Sequence, residues 1–289
     1  MPQSRSSAIS ERNGGMSSSS ENAVRPDIDE LVARAREVGA LARACAQQTE
    51  SDRKVSDRVI ARAREAGLFR AMQPRQYGGY EYGFESLIPI VAAVGAGCGS
   101  SGWVVSLGIV HQWMMAMFPK ATQDEVWSNP DALIFGSYPP VGQVQAAPGG
   151  YRISGKWDFT SGCDHAQWLL VGGMVSDSGN AQPPAPTFFL VPKADLTIET
   201  NWHTMGLAGT GSHAVKGENI FVPAHRVARF ADLLVGTPPG AGVHANAFYR
   251  LSLLSSLPFA LVAPMLGMAE GALDRKSTRL NSSHGYISY

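Results

Sequence analysis

The sequence predicts an α+β protein in which an N-terminal helical domain precedes a β domain and then a second helical segment. Two observations predict this order. Between residues 27 and 128, apolar residues recur at the three- and four-residue spacing of amphipathic helices. Between residues 129 and 232, short runs of β-forming residues alternate with turns. The second pattern predicts an antiparallel barrel or sandwich of roughly seven strands.

The helical pattern begins just after Asp27 and is interrupted by recognisable caps and turns. Ser56 is placed to cap a second helix, and Gly67 to end it. Further helices are predicted over Glu85–Ala96 and Trp103–Phe118, because a glycine-rich segment separates these two apolar runs. The first third of the chain is therefore expected to be a helix bundle.

The β domain is predicted from runs rich in aromatic and branched residues, bounded by the turn segments APGGY, SDSGN and QPPAP. A rigid proline turn is expected to follow the first of these runs, at Pro139-Pro140. The candidate strands are Ile134-Phe135, Tyr151–Ile153, Trp157–Phe159, Trp168–Val175, Thr187–Val191, Leu196–Ile198 and Ile220–Val222.

The two ends of the chain have different compositions. Residues 1–26 contain eight serines and few apolar residues, which predicts a disordered leader. Residues 233–274 are interpreted as a linker and the start of a C-terminal helical domain. Residues 275–289 are polar and serine-rich and have no apolar stripe, so this tail is predicted to be non-helical and to have a non-native origin. The helical domain is expected to be largely missing after Asp274.

Composition and motifs exclude several classes of function. Lys and Arg number 24 and Asp and Glu also 24, which gives no electrostatic reason to expect nucleic acid or a membrane surface as a partner. The apolar stretch Leu251–Ala269 is interrupted by two prolines, which favours a buried helix over a membrane span. Three distant cysteines predict neither a disulfide framework nor a metal site, and they suit a cytoplasmic protein. No metalloprotease, serine hydrolase, phosphate-loop or dinucleotide-binding motif is present.

Four segments concentrate polar residues beside aromatic ones. Trp103 and His111 are eight residues apart on a predicted helix, about 80° apart in projection, so both can flank one cavity. Each residue also has a structural interpretation, as a core side chain or a turn former. The polar candidates in the other three segments are Ser137, then Thr160, Ser161, Gly162, Asp164 and His165, then Gly206, Gly209, Thr210, Gly211 and Ser212.

These segments resemble the acyl-CoA dehydrogenase family. FTSG, at Phe159–Gly162, occupies the place of a family motif that contacts the flavin from the β domain. The segments CGSSGWVVSLGIVHQW, FTSGCDHAQWLLVGG and GLAGTGS are similar to a subgroup of this fold, the flavin-dependent aromatic monooxygenases of two-component systems. The similarity extends from about Leu31 to Asp274. One departure is Ala208, which stands where the related loop often carries arginine.

The resemblance implies an oxygenase that uses reduced flavin, FMNH2 or FADH2, and O2 to hydroxylate a phenolic substrate through a C4a-hydroperoxyflavin. It implies a separate flavin reductase as partner and a homotetramer for the full-length protein. Ser161 and neighbouring backbone amides would lie near flavin N5. His111 and Ser137 would hold the phenol, the imidazole titrating near neutrality. The cofactor-binding set implied is Trp103, Thr160, Ser161, Gly162, Gly209 and Thr210, with His111 and Ser161 catalytic.

Three alternatives remain open at this point. An acyl-CoA dehydrogenase would share the fold but needs a carboxylate base, which in that family often comes from the C-terminal helices. A monooxygenase that oxidises sulfur or nitrogen is also compatible with the resemblance. The third alternative is a catalytically inactive fragment or partner-binding module.

Overall fold

The computed structural model describes residues 25–176 and 183–284, and these contain a helical N-terminal region, one sheet and a long C-terminal helix. The predicted leader, apart from its last two residues, and most of the SDSGN turn lie outside the described residues. The helices are α1 (Ile28–Ala44), α2 (Ala46–Asp52), α3 (Asp57–Glu65), α4 (Phe84–Gly95), α5 (Gly99–Met115), α6 (Lys120–Val126), α7 (Phe230–Leu234) and α8 (Leu253–His284).

The β region is a single seven-stranded sheet with the order β5-β6-β2-β1-β3-β4-β7. The strands are β1 (Ile134–Ala147), β2 (Gly150–Trp157), β3 (Trp168–Val175), β4 (Ala185–Pro192), β5 (Thr197–Glu199), β6 (Ala214–Pro223) and β7 (Val227–Arg229). All neighbours are antiparallel except β1 and β3, which pair in parallel. The prediction of a purely antiparallel barrel or sandwich is therefore wrong in this respect.

The parallel pair follows from the length and bend of β1. Its first residues pair with β3, from Ile134 opposite Trp168, and its last residues pair with β2 in a hairpin. The ladder is interrupted between Ser137 and Gly142. The predicted turn at Pro139-Pro140 is wrong, because the strand continues through these prolines. They fall in the interruption, where no backbone N–H is needed for the ladder.

Other strand predictions differ from the structure in detail. Trp168–Val175 is confirmed as β3 with the predicted bounds. Leu196–Ile198 is shifted by one residue from β5, and the other candidate segments lie within or overlap longer strands. The two segments predicted around Tyr151 and Trp157 belong to one strand, β2, which carries an irregularity between Ile153 and Gly155. The strand β7 was missed, because three residues are too few for an alternating pattern.

The helices of the N-terminal region are confirmed, with α5 starting four residues earlier than predicted. Its start before Trp103 matters for the site, because α5 carries both Trp103 and His111 along one continuous helix. The buried amide of Gln112 ties α5 to the sheet: its Nε2 donates to the Ala132 carbonyl at 2.8 Å, and its Oε1 accepts from Trp127 Nε1 at 2.8 Å. The helix is thereby fixed relative to the start of β1.

The helix α8 packs against α4 and α5 despite two internal prolines. Pro264 has no N–H, so it leaves the carbonyl of Ala260 without its intrahelical donor. The buried hydroxyl of Ser106, on α5, donates to that carbonyl at 2.7 Å. One hydrogen bond therefore both satisfies the proline defect and joins α8 to α5.

The extent of α8 corrects the prediction for the C-terminal tail. The helix runs to His284, where the sequence pattern predicted no helix after Asp274. The physical reason is that no glycine or proline separates Gly271 from Gly285, so backbone hydrogen bonding continues without an apolar stripe.

The outer face of α8 is apolar. Its segment Leu253–Lys276 is long and apolar enough to cross a membrane, although a third of its most apolar window (33%) is buried inside the protein. Core helices of soluble proteins meet the same criterion. The exposed large apolar residues on α8 are Leu254, Phe259, Leu261, Val262, Met265, Leu266 and Leu273.

Candidate active site

A cavity of about 350 Å³ lies between α5, the first half of β1, the loop between β2 and β3, and the loop between β5 and β6. This volume is in the range of small-molecule sites. Five of the predicted site residues line it together, and they come from four separate segments of the chain. The lining residues are Trp103, Leu107, His111, Gly136, Ser137, Tyr138, Pro139, Phe159, Ser161, Trp202, Leu207, Thr210 and Ser212.

Backbone hydrogen bonds join the two polar loops that form one end of the cavity. The amide of Thr160 donates to the His213 carbonyl at 3.0 Å, and the amide of Gly162 donates to the Thr210 carbonyl at 2.9 Å. The Ser161 amide donates to the Phe159 carbonyl at 3.0 Å. These three amides therefore donate to backbone carbonyls inside the protein, and their contact with a flavin stays a prediction.

A chain of three hydroxyls lies at this end of the cavity. Ser161 Oγ is 2.6 Å from Ser212 Oγ, which is 2.7 Å from Thr210 Oγ1. Thr210 Oγ1 donates to the Leu207 carbonyl at 2.9 Å. When Thr210 donates to this carbonyl, every hydroxyl keeps a partner if Ser212 donates to Thr210 and Ser161 donates to Ser212. In this arrangement Ser161 offers only lone pairs to the cavity.

The opposite end of the cavity contains an imidazole whose two nitrogens both have partners. His111 Nδ1 is 2.8 Å from the Leu107 carbonyl, one turn earlier on α5, so this nitrogen carries the proton. Nε2 is then the acceptor, and the Tyr138 hydroxyl donates to it at 2.8 Å. The ring of Tyr138 is held in place by edge contacts with His111 and Phe188.

Burial decides the charge of this imidazole. It lowers the pKa of His111 to about 4, although the hydrogen bond to the Leu107 carbonyl opposes the shift. The expectation that His111 titrates near neutrality is therefore wrong. Burial also raises the pKa of the Tyr138 hydroxyl. Both groups are neutral at pH 7.

The remaining hydroxyl in the cavity lining, that of Ser137, also donates its proton inside the protein. Ser137 Oγ donates to the Asp158 carbonyl at 2.7 Å. The hydroxyl protons of the lining residues therefore all point into the protein, toward a carbonyl, an imidazole or another hydroxyl. These hydroxyls present hydrogen-bond acceptors to a ligand, and they complement ligands that carry N–H or O–H groups.

Several predicted site residues do not line the cavity. Thr160 is buried, with its hydroxyl donating to the Trp157 carbonyl at 3.1 Å. Gly162 has a left-handed φ of 76° and lies against the Phe135 ring. Gly209 packs on Thr49, where a Cβ would approach the methyl group to 2.3 Å. Contact of these three residues with a cofactor stays a prediction.

The acid and the histidine of the same loop lie away from the cavity. Asp164 accepts a hydrogen bond from Lys193 through its backbone carbonyl at 2.6 Å, and His165 is buried with its Nδ1 3.4 Å from a carboxylate oxygen of Asp57. Both residues therefore help to hold the loop.

Sequence reasoning missed Tyr138 and Trp202 and left Ser212 without a role. Tyr138 directly follows Ser137, and the irregularity in β1 lets consecutive residues border the same cavity. Trp202 Nε1 donates to the Leu207 carbonyl at 3.1 Å. This carbonyl is also the last acceptor of the hydroxyl chain, so it fixes the Trp202 ring at the same end of the cavity. No sequence signal reports such a shared acceptor.

The residues that line the cavity fit the ring system of a reduced flavin. Trp103, Phe159 and Trp202 supply aromatic walls, and Ser161 supplies an acceptor for an N–H group. Within residues 25–176 and 183–284, no lysine or arginine that could bind a phosphate lines the cavity, so this lining complements the ring system. Among the described residues, no group of three or more His, Cys, Asp or Glu side chains could hold a metal ion.

Comparison with known proteins identifies the family of the chain. Residues 22–130 match the model of the acyl-CoA dehydrogenase N-terminal domain. The chain is 43% identical over 245 residues to the oxygenase component of the FADH(2)-dependent resorcinol hydroxylase of Rhizobium sp. strain MTP-10005, covering 84% of this chain and 60% of that protein. It is 40% identical over 230 residues to the flavin-dependent monooxygenase oxygenase subunit HsaA of Rhodococcus jostii strain RHA1. This match covers 79% of this chain and 60% of that protein.

A solved structure gives the same result for the fold. The 3-HSA hydroxylase from Rhodococcus sp. RHA1 superimposes with a TM-score of 0.85 at 36% identity, over 91% of this chain and 68% of that chain. This chain thus spans about 60% of the length of the two curated relatives. The sequence resemblance is confirmed: the chain belongs to the family of flavin-dependent monooxygenase oxygenase components that share the acyl-CoA dehydrogenase fold.

Proposed function

We propose that this chain forms the flavin- and substrate-binding region of an oxygenase component that hydroxylates a phenolic aromatic compound. A reduced flavin, FMNH2 or FADH2, would come from a separate flavin reductase, and O2 would be the oxidant. A homotetramer of the full-length protein and a cytoplasmic location belong to the same proposal. The observation that carries it is the set of lining hydroxyls, whose protons are all committed inside the protein.

The hydroxyl chain supports binding of the reduced form of the flavin. Reduced flavin carries a hydrogen on N5, whereas N5 of oxidised flavin is an acceptor. Ser161 can accept a hydrogen bond from the former but has no proton left for the latter. When bound, a reduced flavin supplies the activation of O2 and an electrophilic oxygen. The role of Ser161 would be to hold the proton on N5, with Trp103 and Thr210 shaping the same end of the cavity.

The imidazole end supports a phenol as substrate. Ser137 and Tyr138 both present hydroxyl lone pairs toward the cavity, and a phenolic O–H is a suitable donor to either. His111 stands behind Tyr138 as a neutral acceptor. Leu107 and Phe159 add apolar surface, which excludes water from the ring of the substrate. The residues of this chain would thus orient the phenol and keep its oxygen hydrogen-bonded.

The same hydroxyls argue against an acyl-CoA dehydrogenase. That reaction needs donors to a thioester carbonyl and a carboxylate base. The carboxylate does not decide between the two functions, because in that family it often comes from the C-terminal helices. The lining hydroxyls, oriented as acceptors, cannot donate to the thioester carbonyl. A dehydrogenase is therefore the less favoured function.

A single-turnover experiment with labelled oxygen tests the proposal. The chain would be loaded anaerobically with reduced FAD and resorcinol and then mixed with ¹⁸O₂, with free reduced FAD as the control. We expect ¹⁸O in a hydroxylated product above the protein-free control. Release of all the oxygen as hydrogen peroxide, with no labelled product, would contradict the proposal. Oxidation of an acyl-CoA by the chain with oxidised FAD would favour the dehydrogenase instead.

A further inference from the structure

The acceptor nitrogen of His111 is already occupied in this fold. Its Nε2 receives the Tyr138 proton at 2.8 Å, and its Nδ1 proton is bonded to the Leu107 carbonyl at 2.8 Å. The imidazole is also buried. A substrate hydroxyl can therefore reach His111 only if Tyr138 leaves.

The surroundings of Tyr138 hold its ring in place. Its ring centroid is 5.4 Å from that of Phe188 and 5.9 Å from the imidazole, both in edge geometry. Its hydroxyl also lies 3.3 Å from Met114 Sδ. The residue that follows is Pro139, which restricts the Tyr138 backbone to extended conformations. Displacing this ring would break several contacts at once.

Tyr138 nevertheless borders the cavity. A tyrosine hydroxyl has one proton and two lone pairs, and the proton is used on His111. We propose that the Tyr138 hydroxyl is the group that accepts the hydrogen bond of the substrate O–H, while His111 fixes the orientation of Tyr138 from behind. This assignment rests on the proposed function and moves the contact with substrate from His111 to Tyr138.

If the substrate instead displaces Tyr138 and binds His111, one substitution should change the affinity for a phenol in the opposite direction. Tyr138→Phe keeps the ring and removes the hydroxyl. If Tyr138 accepts from the substrate, the variant loses one hydrogen bond and binds a phenol about 3- to 10-fold more weakly. If Tyr138 only occupies His111 Nε2 until the substrate displaces it, the variant frees this nitrogen, and the phenol binds as well as before or more tightly.

The probes are resorcinol and 1,3-dimethoxybenzene, which has the same ring without an O–H donor. Dissociation constants would be measured by anaerobic equilibrium dialysis of the chain with reduced FAD. We expect Tyr138→Phe to weaken the binding of resorcinol and to leave the binding of 1,3-dimethoxybenzene unchanged. Tyr151→Phe is the matched control, because Tyr151 lies on β2 outside the cavity lining, and it should leave both constants unchanged. Equal or tighter resorcinol binding by Tyr138→Phe would overturn the inference and leave the proposed function intact.

Two further outcomes keep the inference testable. If the wild-type chain binds neither probe, both the inference and the proposed function are overturned. If Tyr138→Phe does not fold, a crystal structure of the wild-type chain with resorcinol decides. We expect a substrate oxygen within hydrogen-bond distance of Tyr138 Oη, with the bond between Tyr138 and His111 retained. A substrate oxygen bonded to His111 Nε2, with Tyr138 rotated away, would overturn the assignment.

Discussion

At each end of the cavity, a row of hydrogen bonds ends on a backbone carbonyl, but different chemical groups form the two rows. At one end, the hydrogen bonds run from Ser161 through Ser212 and Thr210 to the Leu207 carbonyl. At the other end, they run from Tyr138 through His111 to the Leu107 carbonyl. Both chains end on a backbone carbonyl, which can only accept. When a hydroxyl or imidazole donates to such a carbonyl, the directions of the hydrogen bonds before it follow.

The difference lies in what the middle of each chain can do. Ser212 and Thr210 do not titrate in the pH range of proteins, so the first end keeps its protons where they are. His111, in the middle of the second chain, titrates in acid, and burial holds it neutral at pH 7. The first end therefore suits a hydrogen bond that does not change with pH. At the second end, ligand binding depends on whether His111 is protonated in acid. Four changes test this comparison, from the largest expected effect to the smallest.

The largest effect concerns acid stability at the imidazole end. The pKa of His111 is about 4 in the folded chain and about 6.5 ordinarily, so between about pH 6.5 and pH 4 the unfolded chain binds a proton that the folded chain does not. The unfolding free energy should therefore fall by up to about 3 kcal/mol as the pH drops from 7 to 4. His111→Gln should remove this part of the pH dependence, as measured by urea unfolding at both pH values.

His165 provides the control for that measurement. Burial also lowers its pKa to about 4, but it lies outside the cavity lining. His165→Gln should reduce the acid sensitivity by a similar amount without changing resorcinol binding. An unaltered pH dependence in His111→Gln would show that this imidazole is not the buried neutral group described above.

The second effect concerns the loop that carries Ser161. Gly162→Ala should lower the unfolding free energy by about 2 kcal/mol, because φ is 76° and the added Cβ would lie 2.7 Å from the Phe135 ring. Gly149→Ala is a matched control with φ of 78° and open space around it, and it should cost about 1 kcal/mol. Equal losses in thermal or urea unfolding would mean that the Phe135 contact is unimportant.

The third effect is on cofactor binding at the hydroxyl end. Ser161→Ala removes the acceptor and should weaken binding of reduced FAD about tenfold, with little change for oxidised FAD. Anaerobic titration followed by tryptophan fluorescence measures both constants. Ser128→Ala, at an exposed site outside the cavity lining, serves as the control. Equal weakening of both flavin forms would contradict an acceptor role for Ser161.

The smallest effect tests the direction of the hydroxyl chain. Ser212→Ala leaves the Ser161 proton without its partner, so Ser161 can turn and donate to oxidised flavin. The preference for reduced over oxidised FAD should therefore shrink about threefold, mainly through tighter binding of the oxidised form. A preference that is unchanged in the same titration would show that Ser212 does not orient Ser161.

The sequence predicted the fold order and five of the cavity residues because local patterns carry that information. Helical spacing brought Trp103 and His111 to one cavity, and the FTSG segment fell in a loop between two strands as expected. Hydrogen-bond direction could not be predicted, since it depends on contacts such as that between Ser161 and Ser212, 51 residues apart. The neutral state of His111 depends in the same way on burial by distant elements.

The most direct test of the acceptor cavity is the affinity of the chain for the two redox forms of one flavin. An anaerobic titration with reduced FAD and an aerobic one with oxidised FAD would use the same protein and the same fluorescence signal. Because N5 carries a hydrogen only in the reduced form, we predict binding of reduced FAD that is tighter by about tenfold or more. Equal affinities, or tighter binding of oxidised FAD, would contradict the account.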